Sequence, residues 1–242
     1  MRGGLVTDAR ESELATHEFE ALGRRLRRVP RFLRHYGRSK AKLDPAYPCI
    51  LSQVRDSRDV LDLGAGMGLL EALFAGRFPD ARIRGVEWDE RKVSAACKLL
   101  DGLPRATVEH GDACQVALGS PDAILLIDLL HYLDRAAQAT LLERCAVSLG
   151  RHGVLVIRDL DRSKARREIA ETLERIAVGL GWNRGARVQV PPKGEMVSLL
   201  QDHGFRVEVR PGGRGVFSGN VMIVARKRAR SEGNFTWAGS PN

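Results

Sequence analysis

Three glycines at alternate positions, Gly64, Gly66 and Gly68, stand directly behind an acid, Asp62, in the run Val60-Leu61-Asp62-Leu63. Leu69, Leu70, Ala72, Leu73 and Phe74 follow at helical spacing. The pattern predicts a buried strand, a tight turn and a helix. Glycines permit positive φ and leave no Cβ between backbone and ligand. The first turn of the helix adds unbonded N–H groups. The chemistry that suits such a turn is capture of an anionic or polar ligand. The spacing excludes two alternatives. A dinucleotide fingerprint needs Gly at position 69, which is Leu69, and a P-loop needs Gly-Lys-Ser/Thr, which is absent.

Further strand ends carry polar residues at plausible intervals. Ile83 to Val86 predicts a second strand ending in Glu87-Trp88-Asp89. In doubly wound sheets an acid about 20 residues past the glycine turn binds ribose hydroxyls. A carboxylate suits this because it accepts two hydrogen bonds from a vicinal diol, and an indole face suits an aromatic base. A surface acid and a core tryptophan are the plainer readings of Glu87 and Trp88. Ala106-Thr107-Val108 predicts a third strand before Asp112 and Ala113. Ala123 to Ile127 predicts a fourth, closed by Asp128-Leu129-Leu130-His131-Tyr132.

Asp-x-Gly-x-Gly-x-Gly behind an apolar strand resembles motif I of the class I S-adenosylmethionine (SAM) methyltransferases, and the later strand ends fit the same order. The resemblance implies a Rossmann-like, doubly wound α/β fold with a seven-stranded sheet, here preceded by an N-terminal helical extension. By motif it places Asp62, Gly64, Gly66 and Gly68 at the amino-acid portion of SAM and Glu87 at the ribose. Trp88, Asp112 and Ala113 fall at the adenine, and Asp128 and Leu129 at the sulfonium end. Strand-like 152–158, helix-like 163–180 and 195–203, and strand-like 205–209 and 220–226 complete the expected count. The implied activity is methyl transfer to an oxygen or nitrogen of a small or lipid-like molecule. Asp-Leu-Leu-His lacks the Asn/Asp-Pro-Pro-aromatic of base-amine enzymes, and Pro48-Cys49 precedes motif I, the wrong place for a ring-carbon nucleophile. Together with Ile157-Arg158-Asp159, Arg-x-Pro-Arg at 28–31 and Leu43-Asp44-Pro45, the motif resembles stand-alone bacterial enzymes of lipid-like or aryl-polyene pathways. An RNA methyltransferase and a non-catalytic SAM-binding subunit are the alternatives.

Catalytic candidates lie at the carboxyl edge of the sheet, where ligands of such folds bind. His131 titrates near neutrality and suits a general base, although a structural histidine is an even alternative. Tyr132 stands beside it. Arg158 suits a clamp on a substrate carboxylate or phosphate, or an ion pair with Asp159 or Asp161. The four cysteines are dispersed with no Cys-x-x-Cys, which argues against a metal site or a disulfide framework and for a reducing cytoplasm.

Charge divides the chain. Net charge is +9, and nine bases with no acid lie between Arg24 and Lys42. The other bases balance the 30 acids. Leu22, Leu26, Val29, Phe32, Leu33 and Tyr36 interleave with the bases, and Pro30 predicts two short helices. The expected organisation is a basic helical extension or lid at 1–44, a methyltransferase domain at 45–228 and a disordered tail at 229–242. The basic segment suits a substrate lid, a peripheral membrane or acyl-carrier contact, or, less well, nucleic acid. No apolar run reaches the 18 residues of a spanning helix.

Overall fold

The computed structural model describes residues 14–161, 189–213 and 219–227. The expected helix at 163–180 and the tail at 229–242 lie outside them. The N-terminal part holds α1 (Thr16–Arg25), a 3-10 turn (Leu26–Arg28), α2 (Arg31–Leu43) and α3 (Ala46–Gln53). Pro30 closes the break at the N-cap of α2 with φ of −52°. There follow β1 (Asp59–Leu63), α4 (Leu69–Arg77), β2 (Arg82–Glu87), α5 (Glu90–Leu100) and β3 (Ala106–His110). Then come β4 (Ala123–Ile127), α6 (Arg135–Ser148), β5 (Val154–Leu160), α7 (Lys193–Asp202), β6 (Phe205–Pro211) and β7 (Asn220–Lys227).

The strands form one seven-stranded sheet in the order β3-β2-β1-β4-β5-β7-β6. β1 to β5 are parallel, and β7 runs antiparallel between β5 and β6. Both faces are covered by helices, so Val60 to Leu63 and Ala123 to Leu126 are buried throughout, as continuous apolar strands require. The chain runs outward from β1 to β3 and returns to β4, so strand order reverses between β1 and β4. Ligands of open α/β sheets bind outside the strand ends at such a reversal.

Alternation along each strand sorts the polar residues between faces. Val60, Ile83, Leu125 and Val156 join the core beneath α1 to α5, while Leu61, Val86, Leu126 and Ile157 join the core beneath α6 and α7. Asp62, Gly85, Glu87 and Arg158 therefore fall on the face of α4, and Asp159 falls on the opposite face. The N-terminal helices belong to the first core, because Leu22, Leu26, Val29 and Ala41 are buried in it. Gly37 shows how tightly α2 sits: a Cβ there would lie 2.8 Å from Leu26 and 3.2 Å from Leu69 of α4.

Candidate active site

The loop from β1 to α4 is built on its glycines. Gly64, Gly66 and Gly68 all have positive φ, at 89°, 59° and 80°. The Gly64 and Ala65 N–H groups donate to Val86 O at 2.8 and 3.1 Å, which ties the turn to β2. A Cβ on Gly66 would meet nothing within 4 Å, so this glycine faces open space. The Gly66 N–H donates to Glu87 Oε2 at 2.9 Å, and the Asp89 N–H donates to Oε1 at 3.0 Å. Each carboxylate oxygen retains a lone pair for a further donor.

A cleft opens over this turn. Its floor is Asp62, the 64–67 turn, Leu69, Leu70 and Ile127, with Lys92 at one side. Tyr36 and Lys40 of α2 and Tyr47 of α3 form its remaining wall. The basic segment therefore contributes to the cleft itself through Tyr36 and Lys40, two residues that its charge run alone did not single out. The i, i+4 spacing of Tyr36 and Lys40 was the available signal.

Lys40 joins α2 to the sheet. Its Nζ lies 3.3 Å from Asp128 Oδ2. Arg158, 1% exposed, donates from Nη1 to both Asp128 oxygens at 2.6 and 2.8 Å, from Nη2 to Asp44 Oδ1 at 3.2 Å and from Nε to Gly212 O at 3.1 Å. Arg158 thus pairs with Asp128 and Asp44. Burial would raise the Asp128 pKa, but Arg158 and Lys40 outweigh it and hold the carboxyl below its usual range. At Asp44 burial wins and the pKa rises in spite of Arg158. Asp128 itself has φ of 56°, unusual for a residue with a Cβ.

On the other face, His131 and Asp159 form a dyad. His131 Nδ1 lies 2.7 Å from Asp159 Oδ1, and the His131 N–H donates to Oδ2 at 3.2 Å. The side chains are 9% and 0% exposed. Burial would lower the His131 pKa, but the Asp159 carboxylate outweighs it and raises the value above 6.5. Tyr132 packs its ring 4.1 Å from the imidazole. Burial and the Asp128 charge push its phenol up to about 12, so Tyr132 is a neutral hydrogen-bonding group and not a base.

The adenine-side residues are more open. Trp88 is 56% exposed beside Glu87, and its carbonyl pairs with His110 Nε2 at 2.9 Å. Asp112 accepts from the Cys114 N–H and the Gln115 amide, both at 2.8 Å, and shapes the loop that holds Ala113. Leu129 packs beneath the turn, 3.2 Å from where a Gly64 Cβ would stand. Among the described residues no group of three or more His, Cys, Asp or Glu is placed to hold a metal ion.

A glycine turn at the strand reversal, with an acid closing the next strand, places the chain among the doubly wound α/β proteins. The comparisons narrow the class. Residues 60–153 match the model of a family described as a methyltransferase domain, and no curated protein matches the sequence. Human N-acetylserotonin methyltransferase, solved in complex with SAM, has a TM-score of 0.60 at 19% identity over 87% of this chain and 58% of its own. Magnesium protoporphyrin IX methyltransferase from Synechocystis PCC 6803, with bound SAH, gives 0.58 at 18% identity over 88% and 95%. An O-methyltransferase from neocarzinostatin biosynthesis, solved with SAM and 2-hydroxy-5-methyl naphthoic acid, gives 0.58 at 19% over 81% and 56%. This chain thus spans little more than half the length of the first and third. Its fold is that of the class I SAM-dependent methyltransferases, and the match to the methyltransferase-domain model falls on β1 to the turn before β5, the part of the sheet that holds the glycine turn.

Proposed function

We propose that the protein methylates an acidic hydroxyl, or a nitrogen, of a small organic acceptor, with His131 as general base. The observation that carries this reading is the buried His131–Asp159 dyad, next to Asp128 at the carboxyl edge of the sheet. The residues present suit SAM: the open space at Gly66 accepts a ligand against the backbone, Glu87 can take a diol, and Asp62 can take an ammonium. When bound, SAM supplies an already electrophilic methyl group. The protein's part is alignment, which contributes roughly 7–11 kcal/mol in well-oriented reactions, and removal of one proton.

Asp159 accepts the Nδ1–H and thereby leaves the Nε2 lone pair as the proton acceptor. As the acceptor gains the methyl, its proton moves to Nε2, and Asp159 stabilises the imidazolium. Base strength then selects the substrate. Raising the imidazole pKa above 6.5 narrows its gap to a phenol near 10, and concerted transfer can bridge the remainder. This favours a phenolic or enolic hydroxyl over an aliphatic alcohol.

His131→Gln is expected to lower kcat by about 10²–10⁴-fold and leave SAM affinity unchanged by calorimetry. The wild-type rate is expected to rise with pH through a limb above 6.5, because the raised pKa keeps His131 protonated at lower pH. A variant with full turnover, or a rate that falls as pH rises through this range, would remove His131 from the reaction.

The basic segment supports delivery of the acceptor from an anionic, amphipathic surface, a membrane headgroup layer or an acyl carrier. Phe32, Tyr36 and Leu43 are exposed on α2, with Arg31 and Lys42 on the same outward side, and Tyr36 also lines the cleft.

A further inference from the structure

Beneath the glycine turn lies a second carboxyl that motif I does not require. Glu71, in the first turn of α4, is 0% exposed, and Asp62 is 2% exposed. Neither Glu71 oxygen nor Asp62 Oδ1 has a hydrogen-bond donor among the described residues. Two carboxylates in contact can bond to each other only through a proton on one of them. The space for Glu71 is provided by Gly85 of β2, where a Cβ would stand 2.5 Å from Glu71 Oε1. Every other residue of α4 from Leu69 to Ala75 is apolar. A leucine at 71 would continue that face without the cost of burying a carboxyl.

We propose that Glu71 is a positioning residue for the cofactor: its protonated carboxyl donates to Asp62 and holds the Asp62 carboxylate toward the ammonium of the SAM amino-acid portion. This rests on the assignment of the cleft to SAM. Asp62 is the one acid among the described residues that line the cleft. The charges around the pair oppose one another. Glu87 on β2 and Asp128 after β4 disfavour a further negative charge, and Lys40 on α2 favours it. Burial, with Glu87 and Asp128, raises Asp62 to about 7 even though the Glu71 donor lowers it. Burial and the Asp62 charge keep Glu71 protonated well above the usual carboxyl range. Near neutral pH the free protein thus carries a second proton on part of its Asp62 population. An arriving ammonium requires the carboxylate, so that proton leaves to buffer on binding.

The test is calorimetry of the full-length protein with SAH and with 5′-methylthioadenosine, which lacks the amino-acid portion. For wild type, SAH affinity should tighten about tenfold between pH 6 and pH 8, as expected for one group titrating near the middle of that range. Buffers of different ionisation enthalpy should report release of a fraction of a proton at pH 7, and methylthioadenosine should show neither effect. Glu71→Gln, whose amide still donates to Asp62, should keep both the SAH affinity and its pH dependence, because burial, Glu87 and Asp128 still raise Asp62; loss of affinity in this variant would overturn the proposal. Glu71→Leu should weaken SAH about tenfold, raise KM for SAM and leave kcat and methylthioadenosine affinity unchanged. PH-independent SAH binding by wild type would overturn the proposal, as would equal weakening of both ligands in Glu71→Leu. If neither ligand binds wild type, the cofactor assignment fails as well. Should Glu71→Leu not fold, the wild-type and Glu71→Gln pH series decide the matter alone.

Discussion

At the scale of single residues, the cleft depends on groups whose partners are backbone N–H bonds. Glu87 is the clearest case. Both of its oxygens already accept N–H groups, from Gly66 and Asp89, so it shapes the turn as well as offering lone pairs to a diol. Glu87→Ala is expected to weaken SAM by about 1–3 kcal/mol, the range for lost hydrogen bonds to a charged group. Binding isotherms of the variant check this, and affinity unchanged within error would leave Glu87 a purely structural acid of the turn. The position of Glu87 at the end of β2 was legible in the sequence because an apolar strand and a fixed interval from the glycines mark it. Glu71 was not, because an acid three residues into a helix looks like an ordinary first-turn residue favoured by the helix dipole. Only Gly85, fourteen positions away and on another element, shows why it is buried.

At the scale of elements, α2 and the sheet are joined by charge as well as by packing. Asp44, at the end of α2, and Lys40 reach Arg158 and Asp128, whose positions 114 and 88 residues away leave no local pattern. The strands were readable from apolar runs and glycines, and the seven-stranded sheet was what the family resemblance implied. These cross-links were not, and so Arg158 read as a candidate substrate clamp while its donors go to Asp128, Asp44 and Gly212. Removing one partner of a buried pair leaves the other charge uncompensated, typically at 3–5 kcal/mol. Asp128 keeps Lys40 and is 30% exposed, which reduces the cost. Arg158→Met is therefore expected to destabilise the fold by about 3 kcal/mol at pH 7, read from urea unfolding. The sign with pH follows from Asp128. Its pKa is depressed in the fold, so its contribution is present above 3.8 and is lost as pH falls through the depressed value. The difference between variant and wild type should shrink under strong acid. An Arg158→Met protein as stable as wild type at pH 7 would show that the cluster contributes no net stability.

At the scale of the whole molecule, the excess charge and the cleft share one segment. The first half of the basic run is partly consumed by structure. Arg25 and Arg28 cap α5 through Leu99 and Asp101, and Arg34 donates to three carbonyls of the preceding turn. Arg24, Arg27, Arg31 and Lys42 are exposed and have no acid partner among the described residues. Phe32, at 55%, and Leu43, at 60%, are exposed beside them. No helix among the described residues is long and apolar enough to cross a membrane, so any lipid contact would be peripheral. Basic residues at an anionic lipid surface contribute about 1 kcal/mol each, within a screening length. The protein is therefore expected to co-sediment with vesicles containing anionic lipid at low salt, and not with neutral vesicles. Raising the salt should release it. Replacing Arg24, Arg27, Arg31 and Lys42 together by serine should abolish sedimentation and leave SAM affinity intact, because none of the four lines the cleft. Deleting α1 and α2 outright is a poorer test, since it strips Leu22, Leu26, Val29 and Ala41 from the core and should unfold the protein. If the intact protein ignores anionic vesicles but shifts RNA with a steep salt dependence, the same face serves phosphates of another kind. If it does neither, the arginines are a solvated outer surface of the cleft wall.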